Sequence, residues 1–158
     1  MSLIEETASY LTFKLDNELF AINVSKVLEI LEVKPITKVP KSPAFMKGVI
    51  NLRGNILPVI DTRNKFCMPP EDFTIDTCII VLNIDAGSES LLVGAVVDSV
   101  QKVIDIPAVS IQPSVSMSAI YREDFVSGIG KVDDDFIMIL DIDKVFSTEE
   151  VSLMEIEK

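Results

Sequence analysis

The chain repeats itself, and the repeat constrains the fold more than any other feature. Residues Phe45–Phe66 align without a gap on Phe125–Phe146 at an offset of 80. Phe45, Gly48, Asp61 and Phe66 coincide with Phe125, Gly128, Asp141 and Phe146, and most apolar positions between them agree. Upstream, Phe20–Ile30 aligns on Val93–Val103 at an offset of 73, so the link between the two blocks is longer by 7 residues in the second copy. Whatever unit the first half forms, the second half must form as well. Either copy alone buries too little surface to be comfortable, so the two are expected to pack on each other and leave a groove between them. The expectation is one domain over residues 1–158, with approximate repeats 10–66 and 78–146 and an acidic tail at 149–158. Tandem prolines after Cys67-Met68 mark the boundary, because they interrupt regular structure.

Each copy reads as mostly β. Tyr10–Leu15 alternates, placing Leu11, Phe13 and Leu15 on one face, and Leu19–Ile22 returns after the turn at Asp16-Asn17. Val24, Val27, Leu28 and Leu31 fall at i, i+3, i+4 and i+7, which predicts a short helix capped by Asn23 and ended by Pro35. Ile36–Val39 is extended before Pro40. Val49–Leu52 and Ile56–Ile60 are joined by Arg53-Gly54-Asn55, a hairpin signal, and Pro58 predicts an edge position or a bulge. In the second copy Cys78–Ile84 and Leu91–Val97 flank a turn at Asp85–Ser90, and Ile137–Leu140 closes the unit. Short strands at such spacing favour small barrels over a βαβ sheet.

Several function classes are excluded. The chain has no histidine, which removes the commonest general base and metal ligand. Cys67 and Cys78 form neither a zinc pattern nor a disulfide framework and read as structural or incidental. A net charge of −11 argues against nucleic acid as a partner. No apolar run reaches the roughly 18 residues a membrane span requires. The acidic start, Met1-Ser2-Leu3-Ile4-Glu5-Glu6, lacks the basic segment of a signal peptide, so the expected location is the cytoplasm. The charge is uneven: Tyr10–Phe66 holds 9 basic and 5 acidic residues, Cys67–Thr148 holds 4 and 14. A basic segment in an acidic chain fits a docking surface for an acidic partner, and fits equally two differently solvated faces.

Function can specialise where the copies diverge. The sharpest divergence is Asn51-Leu52-Arg53-Gly54-Asn55 against Lys131-Val132-Asp133-Asp134-Asp135. Gly54 suits a left-handed turn, from which Arg53 would project a planar fork toward a carboxylate, on a partner or on its own chain. On the helical wheel Glu29 lies opposite the apolar stripe and is expected to be exposed, with Ile30 beside it. Its counterpart is Lys102, so the charge inverts between copies. Glu29 and Arg53 could also pair as one composite patch. The Asp133–Asp135 run reads as an acidic turn, since calcium needs more oxygen ligands at ordered spacing.

Taken together, these residues resemble the CheW family. The run Phe45–Arg63, with Gly48 leading into Asn51-Leu52-Arg53-Gly54 and an apolar strand closing on Asp61-Thr62-Arg63, is similar to that family's signature. Val27-Leu28-Glu29-Ile30, Ile36–Pro40, Val96–Val100 around Asp98, and Ile139–Asp143 around Asp141 fit in the same order, over roughly Tyr10 to Phe146. Thr62 departs from the pattern, where Leu is commoner. The resemblance implies an all-β fold of two packed five-stranded SH3-like barrels with short helices. It implies a non-catalytic adaptor, monomeric and without cofactor or metal. Its partners would be the regulatory domain of a CheA-type histidine kinase and the cytoplasmic hairpin tip of methyl-accepting chemotaxis receptors. Val27, Glu29, Ile30, Asn51, Arg53 and Gly54 are the implied receptor- and kinase-binding positions. Gly48, Asp61, Asp98, Gly128 and Asp141 are the implied structural ones. Receptor contact is expected in the groove between the barrels and kinase contact at an exposed barrel end. The protein would then sit at the inner face of the membrane through receptor arrays, without inserting into it.

Other classes fit less well. Asp61 and Asp141 each end a strand, as in a duplicated aspartic protease, but neither is followed by the Thr/Ser-Gly turn that chemistry uses. Adaptors of the same family also serve gliding, pilus or developmental pathways. A proline-binding SH3 groove is disfavoured by the absence of tryptophan and an aromatic content of 6%.

Overall fold

The computed structural model describes residues 7–86, 89–113 and 125–145; the acidic tail 149–158 and Phe146 lie outside them. Eleven strands among these residues form two sheets. The first half contributes β1 (Thr7–Leu15), β2 (Glu18–Asn23), β3 (Val27–Glu32), β4 (Met46–Leu52) and β5 (Asn55–Asp61), followed by a single helical turn, α1 (Thr62–Lys65). The second half contributes β6 (Cys78–Ala86), β7 (Glu89–Val97), β8 (Ser99–Pro107), β9 (Ile111–Pro113), β10 (Val126–Val132) and β11 (Asp135–Leu140).

The sheets do not follow the halves. One runs β8-β1-β2-β11-β10-β9 and the other β3-β6-β7-β5-β4. Each half therefore lends its leading hairpin to the other half's barrel. Each exchanged hairpin is seamed on both sides, by an antiparallel pairing (β1 with β8, β3 with β6) and by a parallel one (β2 with β11, β5 with β7). Two hydrophobic clusters fill the barrels. One holds Ile50, Leu57, Val59, Ile79 and Val81, the other Ala21, Ile106, Ile137 and Ile139. A third and larger cluster lies between the sheets, around Phe13, Leu15, Phe20, Ile80, Leu82 and Phe125. Phe20 sits 5.8 Å from both Phe13 and Phe66, and Phe66 stacks on Phe125 at 4.8 Å, so phenylalanines from both halves form one continuous row. The fold is thus two interleaved barrels with a shared core, in sheets of six and five strands.

The extra strand is a matter of degree. β9 pairs with β10 over three residues, whereas its counterpart in the first half closes the barrel with a single bridge, Thr37 to Val49. That bridge is a reciprocal pair of hydrogen bonds, 2.9 and 2.8 Å. The hairpins repeat to the same detail: Asp61 N donates to the Phe45 carbonyl and Asp141 N to that of Phe125, each at 2.7 Å.

Two sequence expectations need correction. The helix at Val24–Leu31 is a 3-10 turn, Val24–Lys26, followed by strand β3. Asn23 does cap the turn, accepting from Ser25 N at 2.9 Å. Pairing with β6 then draws Val27–Glu32 straight, and burial alternates with a period of two. Of the two positions that Pro58 predicted, the edge does not hold, because β5 lies between β7 and β4, whereas the β4–β5 pair does shift register close by, between Met46 and Gly48. The parallel pairing with β7 begins only at Val59, so Pro58, which has no N–H to give, occupies the unpaired stretch just before it.

Thr62, the departure from the family pattern, is 7% exposed, and its Oγ1 has no hydrogen-bond partner among the described residues. Leaving a hydroxyl buried and unpaired costs stability that an apolar group of the same shape would not. Thr62→Val should therefore stabilise the fold by about 1 kcal/mol, which calorimetry would record as a rise in Tm of about 2–4 °C. An unchanged or lower Tm would mean the hydroxyl is satisfied in solution.

Candidate docking site

The β4–β5 hairpin ends in a two-residue turn with both central residues left-handed, Arg53 at φ 50° and Gly54 at φ 87°. This turn type matches the twist of a hairpin, and glycine at its second position adopts the conformation without strain. The Asn51 side chain locks it by accepting from Gly54 N at 2.7 Å. Asn51 and Gly54 thus act as a pair to hold the Arg53 side chain, 66% exposed, at a fixed point on the barrel rim.

The Arg53 guanidinium bonds the Glu29 carboxylate. β3 and β4 are the opposite edges of their sheet, so this ion pair joins the edges as the sheet curls. Because the segment is a strand, Glu29 shares its face with Leu31, which packs into the barrel core, and stands opposite Val81. The expected fully exposed Glu29 is therefore a half-buried one whose carboxylate emerges at the barrel mouth under Arg53. Ile30 lies on the outer face and is exposed, as are Leu28, which the helical reading placed on the apolar stripe, and Ile56, which the hairpin signal did not single out. Val27 is half-buried against the shared core. The structure thus brings together Glu29, Arg53, Asn51 and Gly54, with Ile30 and Ile56 flanking them.

The repeat-related position on the other barrel has the opposite polarity. Lys102 replaces Glu29, and Asp133, also left-handed at φ 55°, replaces Arg53. Both are exposed, and neither forms an ion pair among the described residues.

The remaining positions hold the fold. A Cβ on Gly48 would collide with the Thr37 carbonyl oxygen and fall 2.7 Å from Ile36 Cγ2. On Gly128 it would fall 2.6 Å from Ile111 Cγ2 and 2.8 Å from the Gln112 carbonyl oxygen. Both glycines admit the barrel-closing segment. Asp61 caps α1, accepting from Asn64 N at 3.1 Å, and Asp141 caps the 3-10 turn Ile142–Lys144, accepting from Asp143 N at 3.1 Å. Each aspartate of the protease-like pair is thus engaged in a local cap.

Asp98 belongs to a clasp that the sequence did not disclose. Arg63 is 7% exposed, and its Nε donates to Asp98 Oδ1 at 2.9 Å while Nη2 reaches the other carboxylate oxygen. Nη1 donates to the Pro69 carbonyl at 2.7 Å, and Glu71 and Asp16 stand at 3.1 and 3.6 Å. Asp16 N donates to Asp98 Oδ2 at 2.8 Å. Burial disfavours the Asp98 charge, but Arg63 and the Asp16 amide outweigh it and hold the carboxyl below its ordinary range. The other barrel carries an analogous ion pair of exchanged polarity, its lysine lying one residue beyond Ser25, the repeat counterpart of Asp98. Asp143, which occupies the place of Arg63, binds Lys26 at 2.7 Å and accepts from Asp85 N at 2.9 Å. The only cue in the sequence was an arginine two residues after Asp61. Cys67 is exposed and Cys78 half-buried, both free, and burial raises the Cys78 thiol above its ordinary value.

A family model for the CheW-like domain matches residues 9–150. The chain is 35% identical over 146 residues to the chemotaxis protein CheW of Klebsiella aerogenes, covering 92% of this chain and 86% of the relative. It is 30% identical over 145 residues to the chemotaxis protein CheW of Thermotoga maritima, covering 92% and 90%. The crystal structure of the scaffolding protein TtCheW from Thermoanaerobacter tengcongensis superposes with a TM-score of 0.80 at 34% identity, over 92% of this chain and 96% of that one.

Proposed function

The chain belongs to the CheW family, and from that premise we propose that it is a non-catalytic adaptor of bacterial chemotaxis, joining methyl-accepting chemoreceptors to a CheA-type histidine kinase. The observation that carries the site is the Glu29–Arg53 pair, held on a locked turn between exposed Ile30 and Ile56. Such a patch suits protein recognition. The apolar side chains supply area to bury, and the oriented ion pair selects the partner and its register. The receptor's cytoplasmic hairpin tip would meet the groove between the barrels, and the kinase regulatory domain an exposed barrel end. We place the protein at the inner face of the membrane through its receptors; among the described residues no helix is long and apolar enough to cross a membrane. We also propose that residues 1–158 act as one domain, since neither half keeps a sheet of its own once the leading hairpins are exchanged. Work in a gliding, pilus or developmental pathway would use the same fold, but the relatives named above are chemotaxis proteins.

The test is co-sedimentation with receptor-bearing membranes, with and without the cognate kinase. Arg53→Glu should weaken capture at least about tenfold, a loss of roughly 1.4 kcal/mol. It should change stability by less than about 1 kcal/mol, because an exposed ion pair contributes little to folding. Exchanging the pair, Glu29→Arg with Arg53→Glu, should restore the intramolecular contact and leave capture weak. If the exchanged protein binds normally, the pair serves the fold alone. If the unaltered, folded protein binds neither partner, the pathway is wrong.

A further inference from the structure

The segment between β3 and β4 is the most basic stretch of an acidic protein, with Lys34, Lys38 and Lys41 leading to Lys47 in β4. Lys34, Lys38 and Lys41 are exposed and form no ion pair among the described residues. Together with β4 the segment bounds an open groove of about 410 Å³. Ile36, Val39, Pro43 and Met46 give it an apolar lining, and its charged lining groups are Lys38, Lys47 and the Asp61 carboxylate. Among the described residues Lys47 has one distant carboxylate, Asp61 at 4.0 Å, and it lies over the Phe73 ring at 4.9 Å. Neither Glu29 nor Arg53 takes part, so this is a second surface.

An occupant must combine carboxylates with apolar side chains. Residues 149–158, Glu-Glu-Val-Ser-Leu-Met-Glu-Ile-Glu-Lys, have that composition, with Glu149, Glu150, Glu155 and Glu157 on either side of and among Val151, Leu153, Met154 and Ile156. Their starting point is also suitable. Val145, the last described residue, is buried in the same hydrophobic cluster as Phe45 and Met46, and Val39 packs against that cluster. Met46 and Val39 line the groove. The residues from 146 onward, at up to about 3.3 Å each when extended, can span up to roughly 40 Å.

We propose that the acidic segment 149–158 docks in this lysine-rimmed groove of its own chain, as an intramolecular occupant that an acidic, apolar segment of another protein must displace. Tethering raises its effective concentration into the millimolar range, so weak contacts suffice to keep the groove occupied. Salt should weaken the contact, because the lysines involved are exposed. The inference does not depend on the adaptor reading.

Zero-length carbodiimide cross-linking of the full chain tests it, with peptide mapping of the monomer band. The expected products join Lys38, Lys41 or Lys47 to Glu149, Glu150, Glu155 or Glu157. Their yield should fall at least about fivefold in about 0.5 M salt. It should fall similarly in Lys38→Glu/Lys41→Glu, which leaves the buried core untouched. In the same full chain, reversing the four tail glutamates to lysine should shift the Met46 methyl resonance and leave the Leu82 methyls, deep in the shared core, unmoved. Cross-links to lysines elsewhere, cross-links found only between two chains, or no product while Met46 stays unshifted would each overturn the proposal.

Discussion

Gly48→Ala should destabilise the protein by about 3–5 kcal/mol, the range reserved for substitutions that force backbone apart in a core. For a domain of this size that lowers Tm by roughly 10 °C or more. Gly48 sits at φ 153°, a conformation that side chains rarely adopt, and its missing Cβ is the space into which the Thr37 carbonyl fits. The collision is with backbone, so rotating a side chain cannot relieve it. The barrel-closing bridge between Thr37 and Val49 would have to open instead. Two other glycines supply the scale. Gly54 also has a positive φ, 87°, but nothing lies within 4 Å of its missing Cβ, so Gly54→Ala should cost only about 1 kcal/mol. At Gly130 the nearest atoms, side-chain carbons of Ile106 and Ile139, are at 3.5 and 3.6 Å, ordinary contact, and alanine there should be close to neutral. Urea unfolding of the three variants separates the contributions. A Gly48→Ala protein no less stable than Gly54→Ala would show that the closing segment can move away freely.

That ordering bears on what the sequence could disclose. Gly48 and Gly128 stood out because they recur at the same offset, and a repeated glycine in a strand points to close backbone approach. The β4–β5 turn was legible for a similar reason, since Arg53-Gly54-Asn55 between two apolar runs leaves few alternatives. Segment 24–32 misled because Val24, Val27, Leu28 and Leu31 satisfy a helical period over too few residues to exclude a strand. The choice is made by β6, whose backbone pairs with β3 and is distant in sequence. Exchange of the leading hairpins was invisible for a deeper reason. Two identical units place the same residues inside whichever half supplies the hairpin, so hydrophobic pattern cannot tell an exchanged arrangement from two separate barrels. The parallel pairings β2–β11 and β5–β7 settle it. The Glu29–Arg53 patch was half legible: the two residues were singled out, but the wrong secondary structure put Glu29 on an open helix face rather than under Arg53 at a barrel mouth.

Arg63→Met should cost about 3–5 kcal/mol at neutral pH, and the size of the loss should depend on pH in a direction fixed by Asp98. In the intact protein the Asp98 carboxyl is held below its ordinary value despite burial, by Arg63 and the Asp16 amide. A depressed carboxyl stabilises the fold above its unfolded pKa, about 3.9, and that contribution disappears as pH falls through the folded value. Removing the guanidinium leaves Asp98 partly buried, with Glu71 and Asp16 grouped around the vacated site and no other cation paired to Asp98 among the described residues. Burial then acts with little opposition, and the carboxyl moves above its ordinary value. A raised carboxyl has the opposite linkage: its destabilising effect is present at neutral pH and fades as the group takes up a proton. The gap between variant and parent should therefore narrow as pH is lowered from 7 toward 4. Adding Asp98→Asn to Arg63→Met should recover at least about 1 kcal/mol, because it removes the stranded charge, and it should flatten the pH dependence of the gap. Urea unfolding of the parent, the two single variants and the double variant at several pH values measures all of this. A gap that is constant with pH would mean Arg63 contributes through packing of its stem and its bond to the Pro69 carbonyl rather than through Asp98. The analogous ion pair on the other barrel is a built-in control. Lys26 is only half-buried there, with 24% of its side chain accessible, so Lys26→Met should cost markedly less than Arg63→Met.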